Sequence, residues 1–388
     1  MANEPPFLKK MRILHTGDWH IGISRWGIDR TEEVFKSIEF IVDIVEKEDV
    51  DVVLIAGDLF EHKMPKGDDL RRTAEILQRL GEKDRKVIIV SGNHDWKELE
   101  VSLGIFSSSS NVHFLTELGV KPFRTRKGEL LYVGSFPYFW ERDFLYIGDD
   151  SDRKEKLGEI IHRYLEKINQ RFLPNSVNVL LGHIFVEGAL LGSAVRLSFS
   201  SNFAIPPSWF PNRAHYVALG HAHKPQSISN SPVPTYYCGS IIRIDFSETG
   251  DKKCVNVIDA KPERIANVEK IEIPCKELIE LDFKFSQLES KAVMVKDFDG
   301  YIKAKIHMDI LENNPISKVK QLIPNCVEVE TVYEQNHKKD RSQIDLTLEP
   351  SKLFSQYLLL KEGSVDEEVI KIFEELYREA VLNEDSGY

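Results

Sequence analysis

The chain has 388 residues, 42% of them hydrophobic and 29% charged, with a formal net charge of −11 at pH 7. That balance fits a soluble globular protein of two or three domains with a large first core. No apolar run approaches the roughly 18 residues that a membrane-spanning helix needs.

Residues 1–10 are short and polar, lack a secretory h-region and read as a leader or disordered stretch before a first strand near Met11. Four cysteines (Cys238, Cys254, Cys275 and Cys326) show no CxxC spacing. Neither a zinc ribbon nor a disulfide framework is indicated, and the cytoplasm is the expected compartment. The negative charge argues against strong unaided nucleic-acid binding, because counterion release needs a basic face. The charge is uneven, however: residues 351–388 hold nine acidic and four basic side chains.

From the first strand onward, apolar runs end in short polar motifs. Residues 12–14 lead to Asp18, Trp19 and His20, which a strand-like reading places in alternation. Asp18 and His20 then share a face. Residues 31–48 follow as an amphipathic helix, with Val34, Phe35, Ile38, Ile41, Val42 and Val45 on one side. The apolar run 52–56 ends in Gly57 and Asp58, a carboxylate able to bind through both oxygens and so a natural bridge between two ions. His62, just beyond, is either a phosphate contact or a surface loop residue. Residues 69–80 form a second helix, with Gly81 as its expected C-cap. The run 87–90 then ends in Gly92, Asn93, His94 and Asp95. Asn93 offers a neutral carbonyl ligand, His94 is better placed for substrate than for metal, and Asp95 is a candidate to orient it.

Farther along, residues 121–137 read as a hairpin turning at Lys127 and Gly128, and 152–172 as a third helix. The run 177–181 ends in Gly182 and His183, and 216–219 ends in Gly220, His221, Ala222 and His223. Residues 235–246 read as a strand and 253–273 as a hairpin around Pro262. Parallel βα units followed by antiparallel strands predict an α/β fold, a two-sheet sandwich flanked by helices, over residues 11–275. Residues 301–310, 314–322 and 326–334 read as strand, helix and strand, a small β-α-β cap domain spanning 276–342. Two terminal helices begin near Pro350 and Ser364 within 350–388.

Ligands in open α/β sheets sit beyond the carboxyl ends of strands, so these motifs meet at one edge. Carboxylate, imidazole and amide without thiolate suit Mn²⁺, Fe²⁺ or Zn²⁺. The seven candidate ligands Asp18, His20, Asp58, Asn93, His183, His221 and His223 are too many for one ion and suit two. The chemistry expected is two-metal hydrolysis of phosphate esters.

On residues 13–22 (ILHTGDWHIG), 53–60 (VLIAGDLF), 90–96 (VSGNHDW), 218–223 (ALGHAH) and 239–248 (GSIIRIDFSE), the chain resembles the calcineurin-like metallophosphoesterases, and more narrowly the SbcD family of double-strand-break repair nucleases. The last stretch holds no metal ligand and speaks for the nuclease branch. The resemblance implies one ion held by Asp18, His20, His223 and bridging Asp58, and another by Asp58, Asn93, His183 and His221. It assigns His94 as proton donor or phosphate contact. It further implies Mn²⁺, a DNA substrate cut at double-stranded ends and in single strands or hairpins, a homodimer and an ABC-type ATPase partner, SbcC. Some members carry a histidine directly after the GDLF motif, where this chain has Glu61. In the resemblance the contact between protomers falls near Leu70, Ala74, Leu77, Leu99, Leu103 and Phe106. The terminal helices, with Val365, Val369, Ile372, Phe373, Leu376 and Ala380 on one stripe, are expected to bind the ATPase. The alternatives on this core are a phosphomonoesterase or small-nucleotide phosphodiesterase and a non-catalytic scaffold.

Overall fold

A computed structural model describes residues 10–95, 99–104, 111–139, 150–190, 204–262, 264–310, 312–333, 349–362 and 365–384. The chain begins with β1 (Met11–Thr16), a small ribbon of β2 (Ser24–Arg25) and β3 (Ile28–Asp29), and α1 (Thr31–Lys47). β4 (Val52–Ile55), α2 (Gly67–Leu80), β5 (Lys86–Val90), α3 (Leu99–Gly104) and β6 (Val112–Leu115) continue the alternation. A hairpin of β7 (Gly119–Arg124) and β8 (Leu130–Phe136) precedes α4 (Asp150–Arg171), β9 (Val177–His183) and β10 (Tyr216–Gly220). The short β11 (Gln226–Ser227) and β12 (Thr235–Tyr237) and the hairpin of β13 (Cys254–Lys261) and β14 (Arg264–Glu272) complete this part.

Two six-stranded sheets result, in the orders β14-β13-β1-β4-β5-β6 and β11-β12-β10-β9-β8-β7. β1, β4 and β5 run parallel, as do β9 and β10, so their carboxyl ends share a direction within each sheet. Alternation of side chains decides which layer each residue fills. In β4, Val52 and Leu54 face inward with Val179 and Leu181 of β9, forming the core between the sheets. Val53 and Ile55 face outward onto Val34, Ile38, Ile41 and Val45 of α1. Leu180, Val217 and Leu219 face outward onto Leu157, Ile161, Leu165 and Ile168 of α4. Strands covered on both faces tend to be apolar throughout, which is why β4 and β10 read as continuous runs.

Two expectations change. The strand expected over 235–246 ends at Tyr237: residues 238–245 form a loop that leads into a 3-10 turn at Phe246–Glu248, although Ile241, Ile242 and Ile244 are buried. Arg30, itself buried, donates to the carbonyls of Arg243 (2.6 Å) and Ile244 (3.4 Å), so a side chain replaces the ladder partner. The small sheet has three strands rather than two. β15 (Leu278–Lys284) pairs in parallel with β16 (Tyr301–Met308), which neighbours β17 (Cys326–Tyr333). Helices α5 (Leu288–Met294) and α6 (Pro315–Leu322) cover it, and Phe283, Phe285, Ile302, Ile306 and Val319 form its core. Of the residues nominated for a contact between protomers, Ala74, Leu77, Leu99 and Leu103 are buried in the first core and Leu70 packs against it partly buried; Phe106 lies outside the described residues.

Residues up to Thr331 form one compact unit and Val332–Tyr388 a second. The second contains α7 (Pro350–Glu362) and α8 (Glu367–Glu384), joined by stacking of Phe354 on Phe373 with ring centres 4.3 Å apart. Val369, Ile372 and Leu376 of α8 remain exposed. No helix among the described residues is long and apolar enough to cross a membrane.

Candidate active site

Backbone shape, before any side chain, marks the site. Asp18 (φ 49°), His20 (φ 50°), Asp58 (φ 51°) and His221 (φ 99°) all adopt the left-handed region that non-glycine residues avoid. Such conformations cost of the order of 1 kcal/mol or more each and persist only where the surroundings hold them. Asp18 and His20 therefore converge through left-handed turns, not through the extended alternation that the sequence suggested. Their loop is held by the next one: the N–H groups of Asp18 and His20 donate to the carbonyls of Gly57 (3.0 Å) and Asp58 (3.1 Å). Between the sheets the approach is closer still. A Cβ on Gly220 would collide with the Ala56 carbonyl, so only glycine lets β10 end this near the β4 loop.

The side chains gather into linked clusters. Asp18, His20 and His223 offer ligand atoms to one point, and Asp58, His183 and His221 to another. His20 Nε2 and His223 Nε2 stand 3.2 Å apart, and His183 Nε2 and His221 Nδ1 3.1 Å apart. Asn93 Oδ1 lies 3.0 Å from His183 Nε2, within the second cluster. Asp58 Oδ2 lies 3.4 Å from His183 Nε2 and 3.8 Å from His20 Nε2, between the two. All seven nominated residues thus come together where strands of both sheets end. His221 and His223, two apart in sequence, point into different clusters.

The donor set fits divalent cations. The far nitrogens of two imidazoles are already committed: His183 Nδ1 donates to the Ala56 carbonyl (2.7 Å), and His20 Nδ1 to Glu61 (2.8 Å). Their Nε2 lone pairs are left to face the neighbouring imidazoles, an arrangement that a shared cation satisfies. The field agrees. Burial alone would push His183 down, but Asp58 and Asp18 outweigh it and raise its pKa to about 9. Burial likewise pushes Asp58 up, and His183, His20 and His94 overturn that, so its carboxyl falls well below the usual range. Positive charge is favoured between these groups.

His94 belongs to a third cluster with His20 and Asp58. Its Nδ1 donates to the Glu61 carbonyl at 2.7 Å, which fixes the ring and leaves Nε2 for chemistry. Asp95 does not orient it. Buried, it accepts the N–H groups of Gly92 (2.8 Å), Asp58 (3.0 Å) and Leu59 (3.1 Å), clamping two strand-end loops together. His62 is exposed.

Three residues that sequence reasoning did not select stand behind the ligands. Glu61 accepts from His20, as above. Glu248, buried, faces His223 Nδ1 at 3.5 Å and pairs with buried Lys253 at 2.7 Å. Burial would raise the Glu248 carboxyl, but Lys253 and His223 hold it down at about 2. For Glu248, the family-like stretch ending in it was a signal without an evident role; for Lys253 there was none.

A model of the calcineurin-like phosphoesterase family matches residues 11–225. The SbcD component of the SbcCD nuclease from Bacillus subtilis (strain 168) is 27% identical over 382 residues, covering 94% of this chain and 97% of its own length. Its counterparts from Staphylococcus epidermidis and Staphylococcus saprophyticus are each 26% identical. They cover 87% and 82% of this chain, and 89% and 84% of their own lengths. With the two-sheet sandwich and the ligand clusters at its edge, this chain belongs to the calcineurin-like phosphoesterases, hydrolases that work with a pair of divalent ions, and it is similar to SbcD proteins along most of its length.

Proposed function

We propose that the chain is a Mn²⁺-dependent DNA phosphodiesterase, the nuclease component of an SbcCD-type complex in double-strand-break repair. On this reading it acts as an exonuclease on double-stranded ends and an endonuclease on single strands or hairpins, as a cytoplasmic homodimer with an SbcC-type ABC ATPase. The observation that carries the hydrolytic part is the pair of imidazole–carboxylate clusters sharing Asp58 Oδ2. Similarity to SbcD proteins along nearly the whole chain supports the substrate and the ATPase. Residues 276–342 are read as a DNA-binding cap and 350–388 as the ATPase-binding segment.

Asp18, His20, His223 and Asp58 would hold one ion, and Asp58, Asn93, His183 and His221 the other. Such a pair, when bound, supplies Lewis-acid activation of water near neutral pH and neutralises phosphoryl charge. The chain's own part is positioning and proton management. Asn93 completes its position without adding a further negative charge. His94, fixed through Nδ1, presents Nε2 to protonate the leaving sugar oxygen. His94 also lies within reach of His20 and Asp58, so metal occupancy in a His94 variant separates proton donor from ligand.

The test is a nuclease assay of the purified chain with Mn²⁺, with and without an SbcC-type ATPase and ATP. Duplex ends and hairpins are run beside p-nitrophenyl phosphate mono- and diesters. Cleavage of DNA is expected. Turnover of small esters with DNA left intact would overturn the reading in favour of a small-molecule phosphoesterase.

A further inference from the structure

The two metal positions are not built alike. Behind the Asp18–His20–His223 position stand two carboxylates. Glu61 Oε2 is 2.8 Å from His20 Nδ1. Glu248 Oε1 is 3.5 Å from His223 Nδ1, and these two buried atoms have no other partner among the described residues. Glu248 is in turn fixed, its other oxygen taking the N–H of Ile244 (3.0 Å) and the ammonium of Lys253 (2.7 Å). Lys253 also donates to the His223 carbonyl (2.8 Å) and Ser240 Oγ (2.9 Å), tying backbone and side chain of His223 to one buried cation.

Among the described residues, the other position has no carboxylate hydrogen-bonded to its ligating imidazoles. His183 Nδ1 is hydrogen-bonded to a neutral carbonyl, that of Ala56 (2.7 Å), with the Asp18 carboxylate farther off at 3.8 Å. His221 packs against the rings of Phe185 and Tyr138, its Nε2 without a partner among the described residues. The nearer charges differ too. Asp18 offers its ligand atom to the first cluster and reaches the second only from behind, at 3.8 Å from His183 Nδ1, whereas among the described residues the second cluster's own ligands add the shared Asp58 and the neutral amide of Asn93.

A carboxylate behind a ligating imidazole fixes its tautomer and ring orientation, strengthens the donor nitrogen and adds negative charge. Loss of such a partner typically weakens metal affinity about 10–100-fold. We infer that Glu61 and Glu248 are positioning residues that make the Asp18–His20–His223 position the tighter of the two, so that it fills first and the Asn93–His183–His221 position second. The inference rests on the two-ion reading above. It also gives a role to residues 239–248, which hold no ligand: the loop carries Glu248 to His223.

The test is titration of the full-length chain with Mn²⁺, followed by low-temperature electron paramagnetic resonance and by bound-metal analysis. Two steps are expected, with dissociation constants at least about 10-fold apart, an uncoupled Mn²⁺ signal in the first and a spin-coupled signal in the second. Asn93→Ala should remove only the weaker step. Glu61→Gln and Glu248→Gln should each weaken only the tighter step, by about 10–100-fold. Because Glu248→Gln strands the buried Lys253 ammonium, the double variant Glu248→Gln/Lys253→Met is measured beside it. This variant should recover thermal stability without recovering the tighter step. Equal affinities in the unaltered chain would overturn the inference. So would Asn93→Ala removing the tighter step, or the double variant regaining affinity together with stability. Binding of one ion or none at saturation would instead bring down the two-ion reading, and the inference with it.

Discussion

The backbone N–H of His94 donates to Asp58 Oδ1 at 2.9 Å, so the carboxylate lying between the two clusters also fixes the loop that carries the proposed proton donor. Asp58→Asn keeps the shape and an oxygen for that bond but removes the shared negative charge. Loss of metal and of hydrolysis is expected with the fold retained, as read by metal analysis, phosphodiesterase assay and circular dichroism melting. Full metal content in the variant would show that Asp58 is not the bridge.

His94 tests the division between proton donor and ligand. His94→Ser should leave Mn²⁺ occupancy near normal while lowering turnover by about 10²-fold or more, the usual range for a general acid. Occupancy and turnover falling together would make His94 a ligand.

His15 gives the fold an acid limit. It lies fully buried between the sheets, Nδ1 2.9 Å from the Tyr216 hydroxyl, which Asn256 also contacts at 3.1 Å. Burial pushes its pKa down to about 3, from an ordinary 6.5. Above pH 6.5 both folded and unfolded chains hold it neutral. Below that the unfolded chain takes up a proton that the folded chain refuses, so stability is lost as pH falls from 6.5 towards 3. Between pH 6.5 and 4.5 this one group should cost about 2 kcal/mol. Denaturant melts of His15→Gln should show a shallower loss over that range than the unaltered chain. Parallel pH profiles would contradict the assignment.

What was legible in the sequence followed from local pattern. Val52–Ile55 and Tyr216–Gly220 are continuous apolar strands because both faces are covered, and a glycine with a polar residue at the end of such a run marks a strand end. Other features needed the third dimension. Glu61 and Glu248 act on histidines 41 and 25 positions away, a spacing with no local signature. Asp95 looked like an imidazole partner because it adjoins His94, yet three backbone N–H groups closer to its carboxylate claim it. The alternation in Leu278–Lys284 (LIELDFK) is period two and was available as a strand signal. Residues 239–246 carried a similar one, yet 239–245 form a loop, where the buried Arg30 side chain supplies the partner that a strand would have taken.

The terminal helices should be dispensable for the site and necessary for the partner. Phe354 and Phe373 stack on each other, yet Val369, Ile372 and Leu376 stay exposed, an apolar stripe open to a partner's groove. Deleting residues 350–388 is expected to spare Mn²⁺ binding and intrinsic nuclease activity while abolishing co-purification with an SbcC-type ATPase. Undiminished affinity in the truncated chain would place the ATPase contact elsewhere.

Anomalous diffraction from Mn²⁺-soaked crystals tests the central claim most directly. Two peaks per chain are expected on either side of the Asp58 carboxylate, one ringed by Asp18, His20 and His223 and the other by Asn93, His183 and His221. A single peak, or two that do not share Asp58, would contradict the two-metal centre.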